Sequence, residues 1–169
     1  MSLRTEVTGL LQQLLRLDTV NPPGNETAAA ELLRDYLARS GVVCELVARE
    51  PHRANLVARL SGGDGPSLML TGHTDTVIAD RDEWSRGPWS GDLVDGEVWG
   101  RGAVDMLNIT SSMAVAFRQL ATSGFRPAGD LIYFAVADEE AGSAHGAQWM
   151  ADNHPESIRA DSVLTENGG

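Results

Sequence analysis

Residues Leu131-Ile132-Tyr133-Phe134-Ala135-Val136-Ala137-Asp138-Glu139-Glu140 join an unbroken apolar run to three consecutive acids. A short apolar run of this composition is typical of a β-strand that is buried on both faces. Two other segments have the same layout, because residues 67–73 end in His73 and residues 162–166 end in Glu166. Ligands of open α/β sheets bind outside the carboxyl ends of the strands. The three segments therefore predict one sheet with its chemistry along a single edge.

Apolar periodicity and turn residues predict the elements around these strands. The predicted helices cover residues 3–18, 26–40, 105–123 and 142–153, and further strands cover residues 42–48 and 55–60. Residues 21–25 (Asn-Pro-Pro-Gly-Asn) form a loop. Asp95-Gly96 lies between two apolar pairs, which predicts a β-hairpin and indicates that part of the sheet is mixed.

Strands that alternate with helices predict an α/β fold with three layers. We expect a largely parallel or mixed sheet with helices on both faces. The 169 residues contain no repeat and no linker long enough to divide them, so residues 1–169 are expected to form a single domain.

The composition argues against several classes of protein. The 13 basic and 24 acidic residues give a net charge of −11, which disfavours binding to nucleic acids or to anionic membranes. No apolar stretch approaches the roughly 20 residues that cross a bilayer. Cys44 is the single cysteine, so no intrachain disulfide forms. A reducing, cytoplasmic compartment is therefore expected, with Cys44 as a small core residue.

The residues at the strand ends are suited to a metal site. His73, Glu139-Glu140 and Glu166 end three strands, and Asp105 follows a Gly-Arg-Gly turn at the start of a helix. Taken singly, each has an ordinary structural interpretation: a hydrogen-bonded loop histidine, a helix N-cap, or a solvated acid. Together they supply one imidazole and several carboxylates, a mixture suited to zinc or a similar divalent ion.

The adjacent acids Glu139 and Glu140 can have different roles. Glu139 and Glu140 point in different directions, so one can bind a metal while the other accepts a proton from a water whose pKa the metal lowers. Asp75 lies two residues after His73 and is the nearest candidate to accept a hydrogen bond from its second ring nitrogen. The alternative for Asp75 is a turn-forming aspartate.

Four motifs, in order along the chain, resemble the signature of the M20 metallopeptidase family. They are Gly72–Val77 (Gly-His-Thr-Asp-Thr-Val), Gly100–Met106 (Gly-Arg-Gly-Ala-Val-Asp-Met), Asp138-Glu139-Glu140 and Glu166–Gly169 (Glu-Asn-Gly-Gly). The family includes aminoacylases, acetylornithine deacetylase, succinyl-diaminopimelate desuccinylase and glutamate carboxypeptidases. The resemblance runs from about residue 5 to the end of the chain and implies a zinc-peptidase-like catalytic domain.

The resemblance implies a role for each candidate residue. His73 would bind one zinc, Asp105 would bridge two zincs, Glu140 would bind the second, and Glu166 would complete the shell that His73 begins. The resemblance also implies that Glu139 is the general base and that Asp75 orients the histidine. The implied reaction is hydrolysis of an amide bond in an N-acyl amino acid or a small peptide, through a water that bridges the metals. Two zinc ions are expected per complete site, and manganese or cobalt would also suit these ligands.

The chain departs from the family pattern in three respects. Family members continue into a lid or dimerisation domain and a C-terminal catalytic segment that supplies a late histidine. We expect both to be absent from these 169 residues, activity to be impaired without them, and the parent protein to dimerise through its lid. Leu107-Asn108 stands where the family commonly has Lys-Gly. The alternative function is a non-catalytic metal- or partner-binding module, or an inactive fragment, that retains the first half of the site.

Overall fold

The computed structural model describes residues 2–166, in which helices and strands alternate along the chain. The helices are α1 (Leu3–Leu15), α2 (Thr27–Ala38), α3 (Leu107–Thr122), α4 (Ala147–Asn153) and α5 (Pro155–Ile158). The strands are β1 (Cys44–Ala48), β2 (Ala54–Leu60), β3 (Leu68–His73), β4 (Asp92–Val94), β5 (Glu97–Trp99), β6 (Leu131–Val136) and β7 (Ser162–Leu164).

The main sheet has five strands in the order β1-β2-β6-β3-β7. Strands β1, β2 and β6 are antiparallel neighbours, whereas β3 is parallel to both β6 and β7. The β3–β6 register places Gly72 opposite Ala135 and His73 opposite Val136. This parallel register brings the carboxyl ends of β3 and β6 to the same point of one edge.

Helices cover both faces of the sheet, which confirms the predicted three-layer α/β fold. Alternate β6 residues divide between two apolar clusters, because successive side chains of a strand point to opposite faces. Tyr133 packs with α1, α2 and α3, while Ile132 and Phe134 pack with Met150 of α4. Every residue of β6 is buried. Each large apolar side chain buried in this way stabilises the fold by roughly 1.5–3 kcal/mol.

The prediction that the Asp95-Gly96 hairpin makes the sheet mixed was wrong. The Asp95-Gly96 hairpin forms as β4 and β5, but these strands make a separate two-stranded sheet. The antiparallel pairs of the main sheet come from β1 and β2 instead. Hairpin chemistry fixes the turn between two strands and contains no information about which larger sheet they join.

Several predicted element ends were also wrong. Helix α3 begins at Leu107, so Asp105 lies in the turn before it. Helix α4 begins at Ala147 rather than residue 142, because Asp138 accepts hydrogen bonds from the backbone N–H groups of Ser143 and His145 and holds residues 138–145 as a turn. The strand predicted from residue 42 begins at Cys44, which is half-buried against the core.

Within residues 2–166, the helices are all too short or too polar to cross a bilayer. Part of the fourth motif, Asn167-Gly168-Gly169, lies outside the described residues, as does Met1.

Candidate metal centre

Three parallel strands bring the predicted site residues to one edge of the sheet. His73 ends β3, Glu139 follows β6 and Glu166 follows β7. The Nε2 atom of His73 lies 3.0 Å from Asp105 Oδ1, 3.7 Å from Glu166 Oε1 and 3.9 Å from Glu139 Oε2. Asp105 reaches this point from the turn before α3. The imidazole therefore faces carboxylates from three separate segments.

Close packing against α3 fixes the position of His73. Thr110 Oγ1 donates a hydrogen bond to the His73 carbonyl over 2.9 Å, and the His73 N–H points at the sulfur of Met106. The neighbouring Gly72 has no room for a side chain, since a Cβ there would overlap Thr110. The glycine thus allows β3 to approach α3 closely, and the His73 side chain is 1 % exposed.

Two overlapping groups of donor atoms are compact enough to hold a metal ion. One comprises His73, Glu139 and Glu166, and the other comprises His73, Asp105 and Glu140. Within each group the donor atoms lie within 4.8 Å of one another. The four predicted metal ligands and the predicted base Glu139 therefore lie close together. The specific trio of His73, Asp105 and Glu166 stays a prediction.

Asp75 connects His73 to the turn that carries the two glutamates. Its backbone carbonyl lies 2.9 Å from His73 Nδ1, and its Oδ1 lies 3.5 Å from the same atom. Its carboxylate also accepts the N–H of Glu139 (3.2 Å) and the N–H of Glu140 (3.0 Å). The sequence-based interpretation gave the histidine contact to the side chain of Asp75, whereas the shorter contact is made by its backbone.

The charges in the site favour a cation at His73. Burial alone would lower the pKa of His73, but hydrogen bonds and charge from Asp75, together with Asp105, raise the pKa to about 9. Burial also raises the pKa of Glu140 and of Glu166, and repulsion from Asp105 and Glu139 adds to both shifts. A divalent ion would relieve this repulsion, so the residues present fit a metal.

A buried polar network lies behind the site. Arg53 donates to both oxygens of Glu26 over 2.6 and 2.8 Å and to Asp138 Oδ1 over 2.7 Å. Asn21 donates to Asp138 Oδ1 and to Asp75 Oδ2. Burial would raise the pKa of Asp138, but hydrogen bonds from Asn21, His145 N–H and Arg53 lower it below the ordinary value. The network therefore keeps a buried carboxylate ionised next to Glu139.

Most of this network was not predicted from the sequence. Asn21 was assigned only to a loop, and Arg53 and Glu26 were not singled out. Their partners are 27 to 117 residues away in sequence, and no local pattern marks such a pair. The one available signal was chemical: Asp138 directly precedes two site glutamates.

The other histidines do not join His73 among the described residues. His145 contributes backbone hydrogen bonds to Asp138 and Asn55, and its Nδ1 is buried with no hydrogen-bond partner. The ring of His154 packs 5.1 Å from that of Trp149, and His52 is exposed. In residues 2–166, His73 is thus the only histidine in the two donor groups.

Comparison with protein families gives one match that covers more than half of the chain. The model described as peptidase family M20/M25/M40 matches residues 69–168. The chain is 36% identical over 162 residues to a succinyl-diaminopimelate desuccinylase of Bradyrhizobium diazoefficiens. That alignment covers 88% of this chain and 41% of the relative. The chain therefore spans about two fifths of the length of the curated relatives it matches.

Solved structures of low sequence identity share the fold. An M20 family metallo-carboxypeptidase from Sulfolobus solfataricus matches with a TM-score of 0.82 at 21% identity, over 97% of this chain and 38% of that one. A Bacillus subtilis protein described as a dinuclear metal binding peptidase from the M20 family matches with a TM-score of 0.68 at 16% identity. This second match covers 99% of the chain and 43% of that protein.

Proposed function

Because the chain belongs to peptidase family M20/M25/M40, we propose that it carries the metal-binding and proton-transfer residues of a hydrolase that cleaves amide bonds. The observation that carries the proposal is the convergence of Asp105, Glu139 and Glu166 on His73 Nε2. The proposed substrates are N-acyl amino acids or small peptides. The assignment of residues 1–169 to one portion of a catalytic domain is part of the same proposal.

The proposed metal ligands are His73, Asp105, Glu140 and Glu166. Imidazole and carboxylate donors suit zinc, and they also suit cobalt or manganese. When bound, such an ion polarises a carbonyl and makes a nearby water easier to deprotonate. The resemblance to a protein described as dinuclear supports a complement of two ions in the complete site.

Glu139 is the proposed general base. Its backbone N–H is anchored on Asp75, while its side chain is 49 % exposed and can therefore reach a substrate. Its carboxylate would take a proton from the attacking water and return a proton to the leaving amine. The backbone carbonyl of Asp75 accepts a hydrogen bond from His73 Nδ1, which leaves Nε2 directed at the carboxylates. These roles need both glutamates to stay attached to the same carboxylate through their backbones.

The relatives narrow the substrate class. The desuccinylase name describes removal of a succinyl group from an amino acid derivative, which supports an N-acyl amino acid as the substrate of this chain's parent protein. The cytoplasmic location and the dimer through a lid domain stay predictions.

The test is retention of metal by the purified chain. Native mass spectrometry after loading with Zn²⁺ and desalting should show bound ions in the wild type and their loss in His73→Ala. The exposed His52→Ala is the matched control and should retain the wild-type count. A chain that retains no metal would refute the proposal. Retention of metal without hydrolysis of N-succinyl or N-acetyl amino acids fits the impaired activity expected of these residues alone, whereas hydrolysis would exclude a non-catalytic binding module.

A further inference from the structure

We propose that Asn21 is a positioning residue that keeps Glu139 and Glu140 in place by bridging two buried carboxylates. The effect of Asn21 on catalysis rests on the function proposed above. The effect of Asn21 on the placement of the glutamate-bearing turn is independent of that function. Asn21 does not touch the candidate ligands itself, and it acts through Asp75 and Asp138.

Both amide hydrogens of Asn21 are used on charged partners. Nδ2 lies 2.8 Å from Asp75 Oδ2 and 2.9 Å from Asp138 Oδ1. An ionised carboxylate only accepts hydrogen bonds, so only the nitrogen end of the amide can face this pair. Hydrogen bonds to charged groups are stronger than neutral ones, which makes the bridge a specific contact.

The two bridged carboxylates hold the turn after β6 at separate points. Asp75 accepts the backbone N–H groups of Glu139 and Glu140. Asp138 accepts the N–H of His145 over 3.0 Å, which closes the other side of the turn. Asn21 therefore links the end of β3 to the turn that carries both glutamates.

The backbone of Asn21 is itself fixed. Its N–H donates to Thr76 O over 2.9 Å, and Thr76 N–H donates to Thr19 O over 3.1 Å. Arg53 Nη1 also donates to Pro23 O over 3.0 Å. The residue is 4 % exposed, so water has little access to replace a lost hydrogen bond. A bridge between charged groups is most effective when it is held rigidly in this way.

Loss of the amide would leave two buried carboxylates facing each other. Arg53 would still pair with Asp138, but the two carboxylates would lose the donor that they share, so like-charge repulsion would move them apart. This movement displaces the Asp75 oxygens that accept the Glu139 N–H and the Glu140 N–H. We therefore expect the glutamates to lose their fixed placement while the distant parts of the fold persist.

Two substitutions separate positioning from charge. Asn21→Ala removes both donors and adds no charge. Asn21→Asp keeps the shape, replaces the donors by acceptors and adds a negative charge near the site. A simple charge effect would tighten binding of a cation in Asn21→Asp, whereas a positioning role weakens binding in both variants. The controls are Asn25→Ala and Asn25→Asp. Asn25 is an exposed residue of the same loop, and within the described residues its side chain donates only to the backbone of Asp18.

Three readouts on the full 169-residue chain decide the question. In the Asn21 variants, amide hydrogen exchange at Glu139, Glu140 and His145 should become about tenfold faster or more, with strand β2 unchanged. Titration with Co²⁺ should show an affinity about 10- to 100-fold weaker. The visible spectrum of bound Co²⁺ should change, a signature that a general loss of stability would not alter. The Asn25 variants should match the wild type in all three.

The outcomes separate this proposal from the proposed function. Wild-type exchange rates in both Asn21 variants would overturn the positioning role. Failure of both variants to fold, with folded Asn25 variants, would also overturn it and assign Asn21 to global stability. A wild-type chain that binds no Co²⁺ would refute the metal centre, while amide exchange would still decide whether Asn21 places the turn.

Discussion

The position of Glu139 is compatible with two roles, metal ligand and general base. Its carboxylate belongs to a metal-capable group with His73 and Glu166, and it is also the proposed general base. A base must be free to accept a proton, whereas a ligand is committed to the cation. Gln has the same shape as Glu and cannot accept a proton at catalytic pH, so one substitution separates the two assignments.

We predict that Glu139→Gln lowers hydrolysis by about 100- to 10,000-fold, the range that general-base catalysis contributes. If Glu139 acts only as the base, the Co²⁺ affinity should stay close to that of the wild type. The measurements are kcat on N-acyl amino acids and a Co²⁺ titration of the same samples. Glu97→Gln, on the exposed side of the β4–β5 hairpin, is the control. Full activity in Glu139→Gln would refute the base assignment, and a large loss of Co²⁺ affinity would make Glu139 a ligand.

The sequence predicted the site residues that follow strands, but it did not predict the buried polar residues that support them. His73, Glu139 and Glu166 each follow an apolar run, so the strand pattern alone places them at one edge. Asn21 and Arg53 reach the site through side-chain contacts that span many residues. Such contacts depend on how the loop before α2 packs against the end of the sheet, which no local periodicity encodes.

At the scale of elements, a polar cluster connects the three helices on one face of the sheet. Glu6 of α1 accepts hydrogen bonds from Tyr36 of α2 (2.6 Å) and from Arg118 of α3. The Tyr36 hydroxyl makes the largest contribution to lowering the pKa of Glu6, burial opposes it, and the charge of Arg118 adds to it. A lowered folded pKa means that folding favours the ionised carboxylate.

We predict that this cluster makes stability depend on pH in the acid range. The contribution of Glu6 is present above its ordinary pKa of about 4.5 and is lost as the pH falls through the lower folded value. The difference in free energy of unfolding between the wild type and Glu6→Gln should therefore be largest near neutral pH and should shrink below about pH 4.5. Urea unfolding across this range measures it.

The control for this series is Glu31→Gln in α2. Among residues 2–166, Glu31 pairs only with the partly exposed Arg34, and pairs of this kind contribute little to stability. Its effect should be small at every pH. A Glu6→Gln difference that does not change with pH would contradict the assigned role of the carboxylate charge.

The start of α4 was mispredicted because a tertiary contact, not a local helix signal, sets it. Gly146 precedes the helix, and a Cβ there would collide with the carbonyl oxygen of Ala137 at the end of β6. The apolar pattern of residues 142–153 is compatible with a longer helix. The hydrogen bonds of Asp138 and the close approach at Gly146 hold residues 138–145 as a turn instead.

We predict that Gly146→Ala destabilises the chain by about 1–3 kcal/mol, the usual cost of overpacking a tight contact. It should also weaken Co²⁺ binding, because the displaced turn carries Glu139 and Glu140. Gly9→Ala in α1 is the matched control, since a Cβ there meets no atom of the described part of the chain within 4 Å. That change should be neutral or stabilise by up to about 1 kcal/mol. Thermal unfolding measures both, and equal effects would refute the role of the contact.

At the scale of the whole molecule, cations can stabilise the chain in two ways: by screening the net charge of −11 and by binding to the acid cluster around His73. A strongly charged chain repels itself, and added salt relieves this repulsion by screening. A metal centre stabilises the chain differently, because the cation binds at one site of the folded state and does not bind the unfolded state. Both effects raise the melting temperature, so their concentration dependence has to separate them.

We predict that micromolar Zn²⁺, too dilute to screen charge, raises the melting temperature of the wild type by several degrees. Binding at a concentration of about 100 Kd contributes about 2.7 kcal/mol, and each kcal/mol shifts a domain of this size by about 2–4 °C. His73→Ala should lose the Zn²⁺ shift and keep the shift caused by NaCl, whereas His52→Ala should keep both. If His73→Ala keeps the Zn²⁺ shift, the stabilisation comes from cations spread over the acidic surface, and the convergence of carboxylates on His73 is not a binding site.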